Sequence, residues 1–580
     1  MSDSVIFNNW RAVSSYISRW RRSGDAVEIW DADTRYNDIR PFACPVQCNT
    51  AKVQTLYPLS SCPCFGFPFK TNVCQSHMAD IHWFLMDGFL REASTEELCA
   101  GNYGLLAGVP APERAPVSSA SCGSCDAVAL SHVYTFVSER NGRIVESAPS
   151  PAAFSTSANG MTPNATLSDM DLPPAGDWGI TGKRIYRLIQ AHAESNQIAS
   201  DQSEFVLAGR TDSEATIYQD DVSESDTLEP LLTYHPVRFP APGNLIGLTK
   251  LSDRIAVADN HRVYVSLPAE AMFTFDGVVE IEDTIKAINA IDDIILVLTD
   301  RHPYIINVST SNGLAAGRTM LEVVINFSHF DTLSIFNNTV TFAGEYGLYI
   351  WNGRSITALS ESYFTPVDWK HIAKKRLVGT AFEYGYLLWS EALGCSLLFD
   401  YPFDAWMNES KAKGTVMPIT FVTDINSAAV SRNGHILYAK KEGVYEWDFR
   451  RDVCNYTVFD ANKQAPCDWC ETCDWKVKLY YNSRGKNSFR FVRIFFDERS
   501  GRPINLSYYP IEHGKRITDE TDYDLEVISS HSIRLPWSQI SYQEFIMELT
   551  GNVVMDAVVI SSTNHGTSKM VYDRSTGEER

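Results

Sequence analysis

Short apolar runs recur along the chain between residues 239 and 450, and each is followed by a turn and a second apolar run. The five pairs begin near residues 255, 294, 339, 386 and 436, which spaces them by roughly 40 to 50 residues. The paired runs are Asp253–Ala258 with Val263–Val265, Ile294–Leu298 with Tyr304–Ile306, Thr339–Phe342 with Gly347–Trp351, Tyr386–Trp389 with Ser396–Phe399, and Ile436–Ala439 with Gly443–Trp447. A repeat of this length is typical of a β-propeller blade. The pattern predicts propeller blades over residues 236–455.

Apolar residues recur with a different spacing at the start of the chain. Ile6, Trp10, Val13, Ile17 and Trp20 follow one another at spacings of four and three residues. This spacing predicts an amphipathic helix over residues 5–22. Two roles remain open for it: packing on the body of the protein, or docking on a neighbouring subunit.

A hairpin is predicted further along the N-terminal segment, residues 1–127. The sequence HWFLMDGFLREAS (82–94) places apolar residues on both sides of Asp87-Gly88. An Asp-Gly pair supplies the positive φ angles that a two-residue hairpin turn requires. We therefore expect residues 1–127 to contain the first propeller strands.

Residues 128–235 have the pattern of an inserted β-sandwich. The run His132–Val137 alternates in polarity, Arg140-Asn141-Gly142 turns the chain, and further strands are predicted at 185–188, 205–207 and 216–218. These strand lengths are typical of a fibronectin type III-like module. The stretch 146–181 is rich in Ser, Pro, Ala and Gly, and it is expected to be a long loop of that module.

The last part of the chain, residues 456–580, also reads as strands. Apolar residues recur in 476–480, 489–495, 553–555 and 557–560, which predicts a C-terminal β domain of sandwich type. The predicted fold class is therefore all-β: a β-propeller with an inserted fibronectin III-like β-sandwich and a C-terminal sandwich-like block.

The charge of the chain restricts its partners. There are 71 acidic residues against 50 Lys and Arg, giving a formal net charge of -21. Gripping nucleic acid requires clustered cations, whereas an acidic wall repels phosphates and lets DNA slide past. The N-terminus is too polar for a secretory signal and no apolar run reaches the length of a membrane span. We expect a protein made in a cytoplasm, with no membrane span.

Thirteen cysteines raise the question of a metal site. The candidate zinc ligands are Cys454, Cys467, Cys470 and Cys473, with a second set at Cys44, Cys48, Cys62, Cys64, Cys122 and Cys125. The spacing of two residues suits tetrahedral zinc, but three of the first four thiolates would have to come from one tight turn. The alternative is free thiols that oxidise after release from the cell. We expect no bound metal and no cofactor.

Sequence motifs for catalysis are missing. The chain has no HExxH, no Gly-x-Ser-x-Gly and no phosphate-binding Gly-Lys-Ser/Thr loop. Acidic residues abound, but none forms a pair marked for glycoside hydrolysis. Trp447-Asp448 resembles a WD dipeptide, and Arg484, Lys486, Arg490 and Arg493 form a local basic patch beside aromatic residues. Nucleic-acid contact and an exposed interface face are the two readings of that patch, and no catalytic residue is predicted.

Four segments occur in an order that resembles one family. They are LLAGVPAPERAPV (105–117), HVYTFVSERNGRIVESAPSP (132–151), GKRIYRL (182–188) and FPAPGNLIGLTKLSDRIAVADNHRVYVSLP (239–268). Together they resemble the tail nozzle proteins of short-tailed phages, also called tail tubular or packaged-DNA stabilisation proteins. The likeness covers about residues 82–275, and the repeat pattern extends it to about 450. The cysteine-rich start and the cluster near 470 depart from it.

The resemblance implies a structural virion protein in the phage tail. Such a protein forms a homo-oligomeric, six-membered ring below the tail adaptor, closes the DNA channel and opens for ejection, while tail fibres or a spike attach outside. DNA would pass through a predominantly negative lumen without sequence-specific binding. The alternatives are a propeller-based adhesin that binds host surface glycans and a propeller hydrolase. Each predicts a different assembly or activity.

Overall fold

The structure is a computed structural model of the 580-residue chain. It describes residues 4–7, 26–30, 32–33, 39–76, 80–120, 128–157, 164–190, 205–222, 230–231, 238–308, 316–383, 385–400, 415–448, 474–487, 491–496, 502–512, 515–516, 523–531, 533–534, 542–553, 555–561, 572–573 and 578–579. The chain divides into two compact units. One combines Met1–Lys70 with Phe327–Arg580, and the other is Thr71–Asn326.

Strands dominate the unit Thr71–Asn326 and the segment before it. The segment before it holds β1 (Ser4–Phe7), β2 (Ala26–Trp30), β3 (Ala32–Asp33), β4 (Arg40–Pro41), β5 (Val46–Asn49), β6 (Thr55–Leu56) and β7 (Gly66–Phe67). The unit itself holds β8 (Val73–Gln75), β9 (Ile81–Met86), β10 (Phe89–Ser94), helix α1 (Thr95–Cys99), β11 (Leu105–Leu106), β12 (Val117–Ala120), β13 (Val128–Arg140), β14 (Arg143–Glu146), β15 (Ala153–Ser157), β16 (Ala165–Ser168), β17 (Gly182–Gln190), β18 (Val206–Asp212), β19 (Tyr218–Asp220), β20 (Arg238–Pro240), β21 (Gly247–Lys250), β22 (Ile255–Ala258), β23 (Arg262–Ser266), β24 (Met272–Glu280), β25 (Ile285–Ile291), β26 (Ile294–Thr299), β27 (Tyr304–Val308) and β28 (Ala316–Met320).

The remainder of the chain is built in the same way. Its elements are a 3-10 turn (Phe330–Thr332), β29 (Ser334–Phe336), β30 (Thr339–Ala343), β31 (Leu348–Trp351), β32 (Ile356–Ala358), a 3-10 turn (Ser360–Ser362), helix α2 (Pro366–Ile372), β33 (Leu377–Phe382), β34 (Gly385–Ser390), β35 (Cys395–Asp400), β36 (Thr415–Ile419), β37 (Ser427–Val430), β38 (Ile436–Lys440), β39 (Gly443–Trp447), β40 (Trp475–Asn487), β41 (Phe491–Phe496), β42 (Ile504–Glu512), β43 (Lys515–Arg516), β44 (Tyr523–Val527), β45 (Ile533–Arg534), β46 (Tyr542–Gly551), β47 (Met555–Ser561), β48 (Tyr572–Asp573) and β49 (Glu578–Glu579).

Three antiparallel sheets of the Thr71–Asn326 unit have the order of propeller blades. The strands run β8-β9-β10-β11, β21-β22-β23-β24 with β20 added at the outer edge, and β25-β26-β27-β28. The first strands β8, β21 and β25 pack beside one another in turn. Buried side chains fill the space between neighbouring sheets, in one core around Trp83 and Phe273 and another around Ile288 and Ile295.

The other unit contains three more sheets of this kind. Two of them run β29-β30-β31-β32 and β33-β34-β35-β36 in chain order. The third runs β37-β38-β39 and takes its fourth strand from far upstream, because β5 pairs with β39 through Gln47–Tyr445 and Val46–Glu446. Its first strand β37 packs beside β33, as β33 packs beside β29. An N-terminal strand therefore completes the last sheet.

The sequence forms these sheets because buried runs alternate with turn residues of positive φ. Strands β33 and β34 are buried along their whole length, which matches their largely apolar sequences. Asp87 and Gly88 have φ of 53° and 78° and form the predicted hairpin turn between β9 and β10. The all-β class with propeller-type sheets is thus as predicted, and each predicted run pair forms the middle strands of its sheet.

The inserted sandwich consists of a three-stranded sheet, β12-β16-β19, and a five-stranded sheet, β14-β13-β17-β18 with β15 beside β13. Its core packs Tyr134, Phe136 and Ile185 against Leu167. Two details differ from expectation. The module starts before residue 128, because β12 pairs with β16. The stretch 146–181 is not one long loop, because β15 and β16 lie in it and pair with β13 and β12.

The C-terminal block consists of two sheets, β1-β47-β41-β45 and β2-β40-β46-β42-β43 with β44 beside β42. Both contribute to one core that includes Trp475, Ile494 and Met547, as a sandwich requires. The predicted helix over residues 5–22 is wrong at its start. Ser4–Phe7 is a strand whose apolar residues align with Val558–Ser561 of β47, so sheet pairing overrides the helical period. Residues 8–22 lie outside the described part.

Candidate functional site: the sandwich mount

The junction between β11 and β12 carries the chain from a blade-type sheet into the sandwich. Gly108 lies in this junction with φ of 81°. A Cβ atom at this position would lie 2.8 Å from the Ala271 carbonyl oxygen and 2.9 Å from Met272 Sδ. Only glycine allows the junction to pack this closely against the neighbouring sheet.

Arg140, at the end of β13, holds the junction from the sandwich side. Its Nη1 and Nη2 donate to the carbonyl oxygens of Leu106 and Gly108 at 2.6 and 2.8 Å. Burial lowers the pKa of the Arg140 guanidinium, and the Glu92 carboxylate opposes this shift. A buried guanidinium whose two nitrogens grip two carbonyls of one segment fixes both distance and orientation.

Glu146, the last residue of β14, is the acidic centre of the same region. It accepts hydrogen bonds from Thr135 Oγ1 and Tyr186 OH, both at 2.6 Å, and from Arg184 Nη1 at 3.1 Å. Burial raises the pKa of Tyr186, and its hydrogen bond to Glu146 adds to the rise. Arg238, which begins the outer strand β20, donates to the Glu146 carbonyl oxygen and pairs with Glu270 at 3.2 Å.

A second buried carboxylate belongs to the first sheet. Glu92 of β10 is 4% exposed, accepts from Trp83 Nε1 at 3.1 Å and pairs with Arg143 of β14. We call Glu92, Arg140, Arg143, Glu146 and Arg238 the sandwich mount. Its residues tie the sandwich to two blade-type sheets inside one compact unit.

Asp171 fastens the start of the sandwich. It accepts from the main-chain N–H groups of Glu113 and Arg114 at 2.9 Å each, and from Arg114 Nε at 2.6 Å. Burial alone would raise the pKa of Asp171, but the Arg114 and Glu113 hydrogen bonds together lower it. Tyr134 OH receives the Asp171 N–H at 2.7 Å.

Ser118, His132 and Asp220 form a sequence of contacts of the kind that nucleophilic hydrolases use. Ser118 Oγ lies 3.4 Å from His132 Nδ1, and His132 Nε2 lies 3.0 Å from Asp220 Oδ2. However, His132 and Asp220 are completely buried, and Arg187 Nη1 lies 2.8 Å from both Asp220 oxygens. Ser118 Oγ donates to Ser155 Oγ instead. The geometry favours an ion-pair tie between the two sheets of the sandwich.

Only some of the predicted zinc ligands lie in the part of the chain that the structure describes. Cys454, Cys467, Cys470 and Cys473 lie outside the described residues, as do Cys122 and Cys125. In the described part, no three His, Cys, Asp or Glu side chains are arranged to hold a metal ion. Cys48 and Cys64 come together, with their Sγ atoms 2.6 Å apart.

The remaining sequence candidates have structural contacts. Trp447 is fully buried and donates from Nε1 to the Ala43 carbonyl at 2.9 Å. Within the basic patch, Arg493 donates to the Ser530 carbonyl at 2.6 Å and stacks over the Phe495 ring. The Arg484, Lys486 and Arg490 side chains are outside the described set.

None of the sandwich-mount residues was singled out from the sequence for a role. Arg140, Arg143 and Glu146 are charged residues at strand ends and Glu92 lies within β10, and exposure is the usual expectation for charged residues. The available signal was that Arg140, Arg143, Glu146 and Arg184 all fall in the segments that carry the family resemblance. Their convergence required the fold.

Comparison with known proteins finds only weak structural similarities. No protein-family model and no curated protein sequence matches the chain. Among solved structures, AztD of Citrobacter koseri is 10% identical with a TM-score of 0.25, covering 59% of this chain and 69% of that one. Hsv2 of Kluyvelomyces marxianus is 9% identical with a TM-score of 0.25, covering 58% and 96%. A nidogen/laminin complex is 9% identical with a TM-score of 0.21, covering 49% and 93%.

TM-scores this low carry no argument about function, and the fold assignment comes from the chain's own sheets. Among the helices of the described residues, none has the length and apolar character needed to cross a membrane.

Proposed function

We propose that this chain is a structural tail nozzle protein of a short-tailed phage. One observation supports the proposal: residues from three of the four segments that resemble this family contact one another at the sandwich mount. Arg140 comes from the segment 132–151 and grips carbonyls of the segment 105–117. Tyr186 of the segment 182–188 donates to Glu146.

The proposed role is mechanical. The propeller-type sheets form the wall of a homomeric, six-membered ring that lies below the tail adaptor. The ring closes the DNA channel, retains the packaged genome and opens for ejection, while the outer surface carries tail fibres or a spike. A ring of identical heterologous contacts closes on itself. The net charge of -21 supports a lumen that repels phosphate rather than gripping it.

The sandwich mount suits such a role because it resists displacement. Hydrogen bonds from charged groups are worth about 1.5–3 kcal/mol each, and loss of one buried partner leaves the other uncompensated. Arg140 and Glu146 are each 7% exposed, so water cannot easily replace their partners. Load applied to the sandwich is therefore passed to the blade-type sheets without a flexible hinge between them.

Imaging tests the proposal. Electron microscopy of the purified full-length chain and of particles that contain it should show six-membered rings coaxial with the tail and a predominantly negative lumen. Monomers or trimers that bind host envelope would overturn the proposal and favour a glycan-binding adhesin. A continuous basic lumen would refute the charge argument.

A matched pair of variants tests the mount. Arg140→Lys removes the two-pronged grip on Leu106 and Gly108, whereas Arg262→Lys changes a solvent-exposed pair with Glu280. We expect particles with Arg140→Lys to assemble but to release packaged DNA more readily, measured as nuclease-accessible DNA after mild heating. Equal DNA retention by both variants would contradict the mechanical role of the mount.

A further inference from the structure

Two cysteines meet beside the strand that completes the last sheet. Cys48 belongs to β5, and Cys64 lies in the turn that precedes β7. The Sγ atoms of Cys64 and Cys48 lie 2.6 Å apart, and the Cys48 thiol donates to the Val444 carbonyl of β39 at 3.4 Å. Cys48 is exposed and Cys64 is half-buried, so small thiol reagents have access to the pair.

The contacts of Cys64 show which part of the sheet a Cys48–Cys64 disulfide bond would attach to β5. Cys64 packs against a buried cluster that contains Val53, Leu56, Leu437 and Val444. Strand β6 lies beside β37 and β38 of the same sheet. A bond from Cys48 to Cys64 would thus attach β5 to a segment that is already packed on that sheet.

We propose that Cys48 and Cys64 are a dithiol in a reducing cell and form a disulfide bond when the protein meets an oxidising medium. The Sγ atoms need to approach only from 2.6 Å to the usual S–S bond length of about 2.05 Å. The proposal does not depend on the nozzle function.

The oxidant is a small disulfide such as oxidised glutathione. The Cys64 thiolate attacks one sulfur of the reagent, forms a mixed disulfide and releases one glutathione thiolate. Cys48, after loss of its proton, attacks the Cys64 sulfur and releases the second. The protein dithiol loses two electrons and two protons. One oxidised glutathione takes up both and becomes two glutathione thiols.

The local chemistry sets the rate. Although Cys48 reaches solvent, partial burial of its thiol raises the pKa to about 12. Cys48 therefore keeps its proton at neutral pH, and the second step is slow there because only thiolates attack. Bond formation should therefore accelerate by close to tenfold per pH unit between pH 7 and 9.

The disulfide bond would link β5, the strand that completes the last sheet, covalently to the segment packed on that sheet. The bond closes a short loop, of roughly 15 residues, for which the chain-entropy account predicts clear stabilisation. The oxidised full-length chain should unfold a few degrees higher than the reduced chain. The β5 amides should also exchange with solvent more slowly after oxidation.

The test is peptide mapping of the full-length chain after treatment with oxidised glutathione and alkylation of remaining thiols. The expected result is a peptide pair joined through Cys48 and Cys64, and loss of the thermal shift in both Cys48→Ser and Cys64→Ser. Cys62→Ser is the matched control because it lies in the same turn and should leave the bond and the shift intact. Alkylation of both Cys48 and Cys64, or a bond from either one to Cys62, would overturn the proposal, and neither outcome depends on whether the single serine variants fold.

Discussion

Gly443 begins β39 at the point where β5 completes the last sheet. Its φ is 148°, and a Cβ atom there would lie 2.1 Å from the Asn49 carbonyl oxygen and 3.0 Å from Thr50 Cα. Both contacts are to the backbone of the closing strand or of its exit, so no side chain can rotate away. We predict that Gly443→Ala displaces β5 from β39 and opens the last sheet locally.

The magnitude follows from two separate contributions. A non-glycine residue in this backbone region costs about 1–3 kcal/mol. Moving β5 out of the clash breaks ladder hydrogen bonds, each with a net value of about 0.5–1.5 kcal/mol, and β5 makes only three register pairs with β39. With one ladder hydrogen bond for each of the three pairs, the two contributions sum to about 2.5–7.5 kcal/mol, which favours detachment of β5.

Gly353 offers a matched control in the same unit. Its φ is 89°, and a Cβ atom there would meet nothing within 4 Å, so Gly353→Ala carries the backbone strain without the clash. Hydrogen exchange of the β5 and β39 amides is the assay, because it reports local opening of this sheet directly. We expect at least tenfold faster exchange at β5 in Gly443→Ala than in Gly353→Ala. Equal exchange in the two variants would refute the steric reasoning.

Three other substitutions probe the remaining structure. Glu146→Gln should lower stability by about 3 kcal/mol in thermal unfolding, because the half-buried Arg184 guanidinium loses its carboxylate partner. The exposed Glu282→Gln should change little, and similar values for both variants would contradict this role of Glu146. Asp171→Asn should be less stable than wild type at pH 7, and the difference should vanish as pH falls below 3.8, because the folded-state pKa of Asp171 lies under that ordinary value. If the stability difference between wild type and Asp171→Asn grew in acid, the pKa of Asp171 would be raised rather than lowered by folding. Trp447→Phe should cost about 1–3 kcal/mol by leaving a main-chain carbonyl without its indole donor, and an unchanged denaturation midpoint would contradict this.

Local features of the fold could be predicted from the sequence because their causes are local. Each pair of apolar runs contains its own turn, so hairpins such as β30–β31 are visible within about fifteen residues. The turn residues Asp87-Gly88 and Asn141-Gly142 all have positive φ, as their types suggest. Some outer strands, such as β29 and β32, have only three residues each, and the sequence repeat indicates them less clearly.

Long-range features could not be predicted from the sequence, because a strand carries no local signal of a partner far along the chain. Nothing within Ser4–Phe7 indicates a partner at Val558–Ser561, and an apolar residue every three or four positions suggested a helix there instead. The sandwich mount was missed in the same way. Arg140 and Glu146 are ordinary strand-end residues until the fold buries them against carbonyls and hydroxyls from other segments.

The pairing of β5 with β39 sets the timing of folding during synthesis. Gln47 leaves the ribosome long before its partner Tyr445, and at about 5–20 residues per second the wait lasts roughly 20–80 seconds. Throughout this time the nascent chain carries an unsatisfied strand that could pair with another polypeptide. A ribosome that stops anywhere before β39 therefore releases a chain that lacks the pairing partner of β5, and every such truncated chain leaves the same strand edge exposed.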